Sequence, residues 1–115
     1  MSIQRVKVGP RMSQGVGYGD TVYLAGQVGD EGTPDVATQT KQILGKIDGL
    51  LAEAGTDKSK LLSATIWLSD IRFYDAMNKV WDAWVSPGNT PARACIEAKL
   101  ARSDLLVEIG VIAAR

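Results

Sequence analysis

The sequence predicts an α+β fold in which a six-stranded mixed sheet carries two helices on one face, in the order β-β-β-α-β-α-β-β. Short segments with alternating apolar and polar residues predict the strands, and two longer segments with helical spacing predict the helices. Several strands are apolar on one side only, so the helices have a single face to cover. The 115 residues have the length of one ordinary domain, and we expect a single domain over residues 1–115.

The first part of the chain predicts three strands. Apolar and polar residues alternate over Ile3–Val8, and a Gly-Pro dipeptide then interrupts the pattern. Met12–Tyr18 and Thr21–Gly26 predict two further strands. Gly19-Asp20, between them, is typical of a tight hairpin turn.

A long helix is predicted after a loop at residues 29–34. Thr33 or Asp35 can cap its first turn, and Gly55 lies where a helix commonly ends. Gly45 and Gly49 lie inside it, each at a cost of about 1 kcal/mol relative to alanine, and we interpret them as points of close packing on the sheet. The apolar positions of this helix are Val36, Ile43, Ile47, Leu50, Leu51 and Ala54.

The second half of the chain predicts one strand, one helix and two final strands. The strand covers Leu61–Leu68, and Asp70 caps the helix that follows. We predict that the last two strands, about Ala92–Leu100 and Leu105–Ala113, pair as a hairpin around Arg102-Ser103. The apolar stripe of the second helix consists of Phe73, Met77, Val80, Trp81 and Trp84.

Alternation within the last three strands assigns their side chains to faces. If the final two strands pair as a hairpin, Arg93, Cys95 and Glu108 cluster on the face without helices. That face also contains Trp67 and Ile112, and its mixed character indicates burial against a second copy of the chain. The positions expected to face the helices are Leu62, Ala64, Ile66 and Leu68, then Ala94, Ile96, Ala98 and Leu100, then Val107, Ile109, Val111 and Ala113.

Composition excludes several classes of function. Thirteen basic residues balance thirteen acidic ones, which argues against a nucleic-acid-binding protein. The chain has no histidine, which removes the usual catalytic base, and its single cysteine rules out an internal disulfide. Together these two facts argue against a transition-metal site. No segment has the apolar length of a signal peptide core or a membrane span, so we expect a cytoplasmic protein.

Arg93 and Glu108 are the strongest candidates for chemistry. Arg93 opens a strand after Thr90-Pro91-Ala92, and a guanidinium held there suits bidentate binding of a carboxylate. Glu108 lies in a strand of Leu, Val and Ile, where it could orient a water molecule or accept its proton. The alternative is structural: Arg93 forms a salt bridge, with Glu108 itself or another acid, or Glu108 is simply solvated. Cys95 is more typical of a small buried side chain than of a nucleophile.

Motifs along nearly the whole chain resemble the RidA (YjgF-type) family. They include Ser13-Gln14-Gly15-Val16, Tyr23-Leu24-Ala25-Gly26-Gln27-Val28 and Asp35-Val36-Ala37-Thr38-Gln39-Thr40 in the first half. The second half contains Ala64-Thr65-Ile66-Trp67-Leu68-Ser69-Asp70 and Met77-Asn78-Lys79-Val80-Trp81. The most specific motifs are Pro91-Ala92-Arg93-Ala94-Cys95 and Val107-Glu108-Ile109.

This resemblance implies a chorismate mutase-like fold and a homotrimer with sites at the subunit boundaries. It also implies hydrolysis of 2-imino acids, such as 2-iminopropanoate formed from 2-aminoacrylate, to 2-keto acids and ammonia without a cofactor. Arg93 would bind the substrate carboxylate and Glu108 would position the attacking water. Gly26 and Cys95 would contribute backbone groups, and Asn78 would line the site.

The chain departs from the family pattern at Met12. Many family deaminases have a tyrosine of a Gly-Pro-Tyr segment at this position, and here Gly9-Pro10 comes one residue too early. The loop at residues 29–34 is also shorter than in many members. We therefore expect Met12 to line an altered pocket wall in a compact, divergent branch of the family.

Two other functions are compatible with the same residues. A non-catalytic protein that binds or senses a small carboxylate such as a keto acid would need Arg93 but not Glu108. RNA cleavage or inhibition of translation is attributed to some family members. The neutral charge and the absence of histidine argue against that third function.

Overall fold

One layer of the molecule is a seven-stranded mixed sheet, and two helices on one of its faces form the other layer. The computed structural model describes residues 1–115. The molecule measures 42 × 37 × 19 Å, and its short dimension leaves room for one sheet and one helix layer only. The predicted α+β class with both helices on one face is confirmed, and the other face of the sheet is bare.

Nine regular elements follow one another along the chain. Short 3₁₀ turns at Lys58–Lys60 and Ile71–Phe73 precede the fifth strand and the second helix. No helix is both long and apolar enough to cross a lipid bilayer. The elements are β1 (Ile3–Val8), β2 (Ser13–Tyr18), β3 (Thr21–Leu24), β4 (Gln27–Val28), α1 (Val36–Glu53), β5 (Leu61–Leu68), α2 (Tyr74–Trp84), β6 (Ala92–Glu97) and β7 (Val107–Ala114).

The sheet order is β1-β2-β3-β7-β5-β6, with β4 also paired to β7. β7 is therefore internal and runs antiparallel to β3, β4 and β5. β6 is an edge strand that runs parallel to β5, with α2 as the connection between them. The predicted hairpin of the last two strands is wrong, because β5 lies between β6 and β7.

The parallel pairing reverses the predicted faces of β6. Arg93 pairs with Ala64 and Cys95 with Ile66, and both partners belong to the buried core. Paired residues of neighbouring strands share a face, so Arg93 and Cys95 point toward the helices. Ile96 was expected in the core and is instead 49% exposed on the bare face.

The core itself lies where the sequence predicts, between the sheet and the two helices. Asp35 caps α1 by accepting a hydrogen bond from the Thr38 backbone N–H, which identifies it rather than Thr33 as the cap. Gly55 has φ +83° just beyond the helix, as expected for a C-terminal stop. The largest fully buried side chains include Ile43, Leu44, Ile47, Leu51, Ile66, Leu68, Met77 and Ile109.

Two strand irregularities correct the sequence prediction. The single strand expected over Thr21–Gly26 is divided into β3 and β4, because residues 24–26 lie opposite only residues 110–111 of β7. The second irregularity lies at the start of β5, where the register shifts between Leu61 and Ser63. This shift places Leu61 in the core, whereas Leu62, which was predicted there, is 51% exposed.

The glycines inside α1 do not mark close packing, contrary to the sequence interpretation. A Cβ atom built on either Gly45 or Gly49 would have no neighbour within 4 Å, and both residues are exposed. Their cost to the helix is therefore not compensated by a tight contact within the chain.

We predict that Gly49→Ala stabilises the protein by about 0.5–1 kcal/mol, because alanine loses less backbone entropy in a helix and meets no obstacle here. The measurement is the free energy of unfolding in urea. Ala52→Gly, at an exposed position of the same helix, is the reciprocal control and should lower stability. A loss of stability in Gly49→Ala would contradict the structure at this position.

Candidate functional site

Three side chains of helix α2 contact the guanidinium group of Arg93. Arg93 Nη1 donates to Asn78 Oδ1 at 2.7 Å, and Nη2 donates to the Tyr74 hydroxyl at 3.2 Å. The guanidinium carbon lies 5.4 Å from the ring centroid of Trp81 and 5.8 Å from that of Tyr74, within the range of a cation–π contact. We call Tyr74, Asn78, Trp81 and Arg93 the Arg93 cluster.

Local structure explains why these side chains meet. Tyr74, Asn78 and Trp81 are spaced i, i+4 and i+7 along α2, so they lie on one helix face. Arg93 is the second residue of β6 and points to the same side of the sheet as α2. The rigid strand and the helix together fix the position of the cation.

Arg93 has no acidic partner in the chain. The four ion pairs of the protein involve other residues, so the predicted alternative of a salt bridge with Glu108 does not occur within one chain. Arg93 is half-buried, and its Nε–H and one hydrogen on each Nη remain free. A half-buried cation with free donors and no counter-charge is suited to bind an anion.

Cys95 lies next to this cluster on the same face of β6. Its side chain is half-buried and packs against the hydrophobic core. Burial raises the pKa of the Cys95 thiol, and the positive charge of Arg93 offsets only part of this shift. The thiol is therefore protonated at neutral pH, which is unfavourable for a nucleophile.

Glu108 lies on the opposite, bare face of the sheet. It pairs with Trp67 of β5 on one side and Val28 of β4 on the other. A side chain on Gly26 would overlap the Glu108 carboxylate, so the glycine provides the space that this carboxylate occupies. Glu108 is half-buried and forms no ion pair or side-chain hydrogen bond, which leaves both oxygens free to accept. We call Gly26, Trp67 and Glu108 the Glu108 cluster.

The structure thus separates the predicted constellation into two groups. Arg93, Cys95 and Asn78 lie on the helix side of the sheet, whereas Glu108 and its neighbour Gly26 lie on the bare side. The expectation that Arg93, Cys95 and Glu108 share one face is wrong for a single chain. The two residues are on different faces because β5 lies between β6 and β7. Arg93 pairs with Ala64 of β5, which faces the helices, whereas Glu108 pairs with Trp67, which faces the bare side.

Met12 belongs to neither group by direct contact. It is 52% exposed and directly precedes β2. Four strand spacings separate β2 from β6, or about 19 Å, so Met12 cannot reach Arg93 of its own chain. The start of β2 lies instead near Gly26, since the Ala25 N–H donates to the Gln14 carbonyl at 2.9 Å.

Tyr74 and Trp81 are site residues that the sequence prediction did not identify. Trp81 belongs to the predicted apolar stripe of α2 and is indeed only 5% exposed, but its ring also contacts the guanidinium. The sequence signal for them is their spacing relative to Asn78, which places all three residues on one face of the helix. It could be used only once α2 and β6 were known to lie side by side.

Neither candidate group lines an enclosed cavity of the single chain. A groove of about 700 Å³ runs between the outer sides of α1 and α2, and a depression of about 320 Å³ lies beside Ser69 and residues 99–105. Neither is lined by Arg93 or Glu108. No three side chains of the metal-binding types come together either. The chemistry offered is therefore that of a fixed cation and, separately, a free carboxylate.

Comparison with known proteins gives a consistent family assignment. The family described as endoribonuclease L-PSP matches residues 2–115. A RutC family protein of Haemophilus ducreyi is 45% identical over 112 residues, which cover 97% of this chain and 96% of the relative. The RutC family protein YoaB of Escherichia coli is 40% identical over 114 residues, which cover 99% of each chain.

Solved structures show the same fold. NMB1025 of Neisseria meningitidis, a member of the YjgF protein family, superimposes with a TM-score of 0.97 at 46% identity and covers 100% of this chain and 96% of its own. Rv2704 of Mycobacterium tuberculosis, of the YjgF/YER057c/UK114 family, has a TM-score of 0.91 at 26% identity, with 99% and 100% of the two chains covered.

We predict that Cys95 reacts slowly with iodoacetamide, because burial raises its pKa and keeps the thiolate scarce. The pH of half-maximal alkylation rate should lie above that of free cysteine. Arg93→Gln should move this pH further upward, since the arginine charge lowers the pKa. The urea-unfolded protein is the control and should react as free cysteine does. A midpoint below that of free cysteine would contradict this description.

Proposed function

The chain belongs to the endoribonuclease L-PSP family of RutC, YjgF and RidA proteins, and we propose that it hydrolyses small 2-imino acids to 2-keto acids and ammonia. The observation that carries the proposal is Arg93, a half-buried cation without a counter-charge. The substrates would arise as enamines such as 2-aminoacrylate, which tautomerise to 2-iminopropanoate.

Arg93 accounts for recognition of the acid group. Its free N–H donors can bind a carboxylate through two parallel hydrogen bonds. Because Asn78 and Tyr74 already hold the guanidinium in place, Arg93 loses little side-chain entropy when the ligand binds. The aromatic faces of Tyr74 and Trp81 reduce the exposure of the guanidinium to water, which strengthens its attraction for an anion. A substrate bound in this way would present its C=N carbon at a fixed place.

Glu108 is suited to the chemical step. Its free carboxylate can accept a proton from a water molecule while the water oxygen bonds to the imine carbon and the C=N electron pair moves to nitrogen. Glu108 then returns that proton to the nitrogen, which gives a neutral carbinolamine with an OH and an NH₂ group. As the C–N bond breaks, Glu108 carries the hydroxyl proton to the nitrogen, so that ammonia leaves, the C=O bond forms and the carboxylate is regenerated. An imine is already electrophilic, so holding water beside it supplies much of the acceleration.

A site containing both residues requires two copies of the chain. Within one chain Arg93 and Glu108 point to opposite sides of the sheet, with β5 between their strands. The bare face exposes Tyr23 and Ile96, each at 49%, and this apolar surface favours burial against another copy. We propose a homotrimer in which the Arg93 cluster of one subunit meets the Glu108 cluster of its neighbour. Met12, exposed near the start of β2, could then line the same boundary.

Carboxylate binding without catalysis is the second candidate. One observation favours it: the Arg93 cluster is assembled entirely from β6 and α2 and does not depend on Glu108. In this case Glu108→Gln would leave the affinity for 2-ketobutyrate unchanged, and the wild-type protein would show no turnover.

We predict that the protein speeds pyruvate formation when a serine dehydratase generates 2-aminoacrylate in a coupled assay. Arg93→Ala should lower kcat/KM by about 100-fold, since it removes charge-assisted hydrogen bonds to the substrate. Arg102→Ala, which removes a surface arginine paired with Asp104, is the control and should behave as wild type. Absence of acceleration by the wild-type protein with imines derived from both serine and threonine would refute the deaminase proposal.

A second prediction concerns the two-copy site. Arg93→Ala and Glu108→Ala subunits should each be inactive alone and regain activity when co-expressed as mixed oligomers. About a quarter of the sites in a random equal mixture would combine both intact residues across a boundary. The measurement is specific activity of the purified mixed oligomer, with each single variant as the control. If a mixed oligomer forms and stays inactive, the site does not combine residues of two subunits.

A further inference from the structure

Tyr74 contributes a hydroxyl group at the edge of the Arg93 cluster. It is the first residue of α2, and its hydroxyl oxygen accepts a hydrogen bond from Arg93 Nη2 at 3.2 Å. Its ring also makes a cation–π contact with the guanidinium, whose carbon lies over the ring at 5.8 Å from the centroid. The residue is 40% exposed in the single chain.

The Tyr74 hydroxyl accepts one hydrogen bond, but its own hydrogen has no acceptor in the protein. Its oxygen already accepts from a cation, so its own hydrogen is turned away from the guanidinium by charge repulsion. No acceptor of the protein receives that hydrogen, since the contact with Arg93 is the only hydrogen bond of the Tyr74 side chain. The Tyr74 O–H therefore lies beside the free N–H donors of Arg93.

Together the two side chains offer only donors to a ligand. The Arg93 N–H groups cannot accept hydrogen bonds, and the Tyr74 oxygen already accepts one from Arg93. A carboxylate, which only accepts, matches this pattern. A primary amide does not, because its NH₂ group would face another donor. The Arg93 and Tyr74 donors thus favour a ligand group that is negatively charged and that only accepts hydrogen bonds.

We propose that Tyr74 is a specificity-determining residue, whose O–H donates a hydrogen bond to one carboxylate oxygen of the 2-imino or 2-keto acid held by Arg93. This inference rests on the proposed function, since it concerns the same site and ligand. Asn78 differs from Tyr74 in its role: it accepts from Nη1 on the inner side of the guanidinium and holds the cation in position.

The test is a calorimetric titration of 2-ketobutyrate into wild type, Tyr74→Phe and Tyr18→Phe. Phenylalanine keeps the ring beside the guanidinium and removes only the hydroxyl. Tyr18 is similarly exposed, at 47%, lies in β2 and has no hydrogen bond through its hydroxyl, so it is the matched control. Tyr74→Phe should raise the Kd for 2-ketobutyrate and the KM for the imine about tenfold, with kcat within about twofold of wild type.

A spectroscopic measurement separates a direct contact from a positioning effect. The antisymmetric stretch of bound 2-ketobutyrate labelled with ¹³C in its carboxylate should differ between wild type and Tyr74→Phe, because one hydrogen bond to that group is lost. An identical band in the two complexes would show that the hydroxyl does not contact the carboxylate, and the inference would fail.

The outcomes also distinguish this inference from the proposed function. If wild type binds 2-ketobutyrate, Arg93→Ala abolishes binding and Tyr74→Phe binds as wild type does, only the role of Tyr74 is refuted. If wild type neither binds 2-ketobutyrate nor accelerates imine hydrolysis, the proposed function fails and the inference fails with it. Unchanged thermal unfolding of Tyr74→Phe would establish that a weaker Kd reflects the missing hydroxyl.

Discussion

The parallel pairing of β6 with β5 determines the arrangement of the Arg93 cluster and of Cys95. Its register places Arg93 beside Ala64 and Cys95 beside Ile66, on the side of the sheet that the helices cover. Because α2 connects the two strands, it passes over that side and brings Tyr74, Asn78 and Trp81 to the guanidinium. Without this pairing the cation would point away from the helices.

The electrostatic consequence is a positive charge partly removed from water without an anion to balance it. Desolvation of a charge is unfavourable, and proteins usually offset it with an ion pair. Here an amide oxygen, a phenol oxygen and two aromatic faces offset part of it. A bound carboxylate would supply the missing counter-charge, which is why the proposed ligand is an acid.

The edge position of β6 has a further consequence for assembly. Its second face carries Ala92, Ala94 and Ile96, which no helix covers. Edge strands also leave backbone donors and acceptors unpaired. An apolar face beside a free edge is costly for a chain on its own, and burial against neighbouring copies would remove that cost. The proposed oligomer and the proposed two-copy site therefore both depend on the edge position of β6.

Much of the fold was predictable because it depends on local patterns. The alternation in β1, β2, β5 and β7 and the apolar stripes of both helices identify the elements and most of the core. The βαβ order of β5, α2 and β6 was itself a signal for parallel pairing that the sequence interpretation did not use. The hairpin prediction followed proximity along the chain instead, and it reversed the faces of β6.

The sequence by itself determined the family, the α+β class with its helices on one face, and the residue types of the candidate site, including Arg93 and Glu108. These follow from motifs and from periodicities that span only a few residues. Only the tertiary structure decided which strands are neighbours, and hence that Arg93 and Glu108 lie on opposite sides of the sheet. Backbone hydrogen bonds do not depend on side-chain identity, so alternation within a strand does not specify which other strand becomes its neighbour. That choice depends on contacts between residues far apart in the sequence.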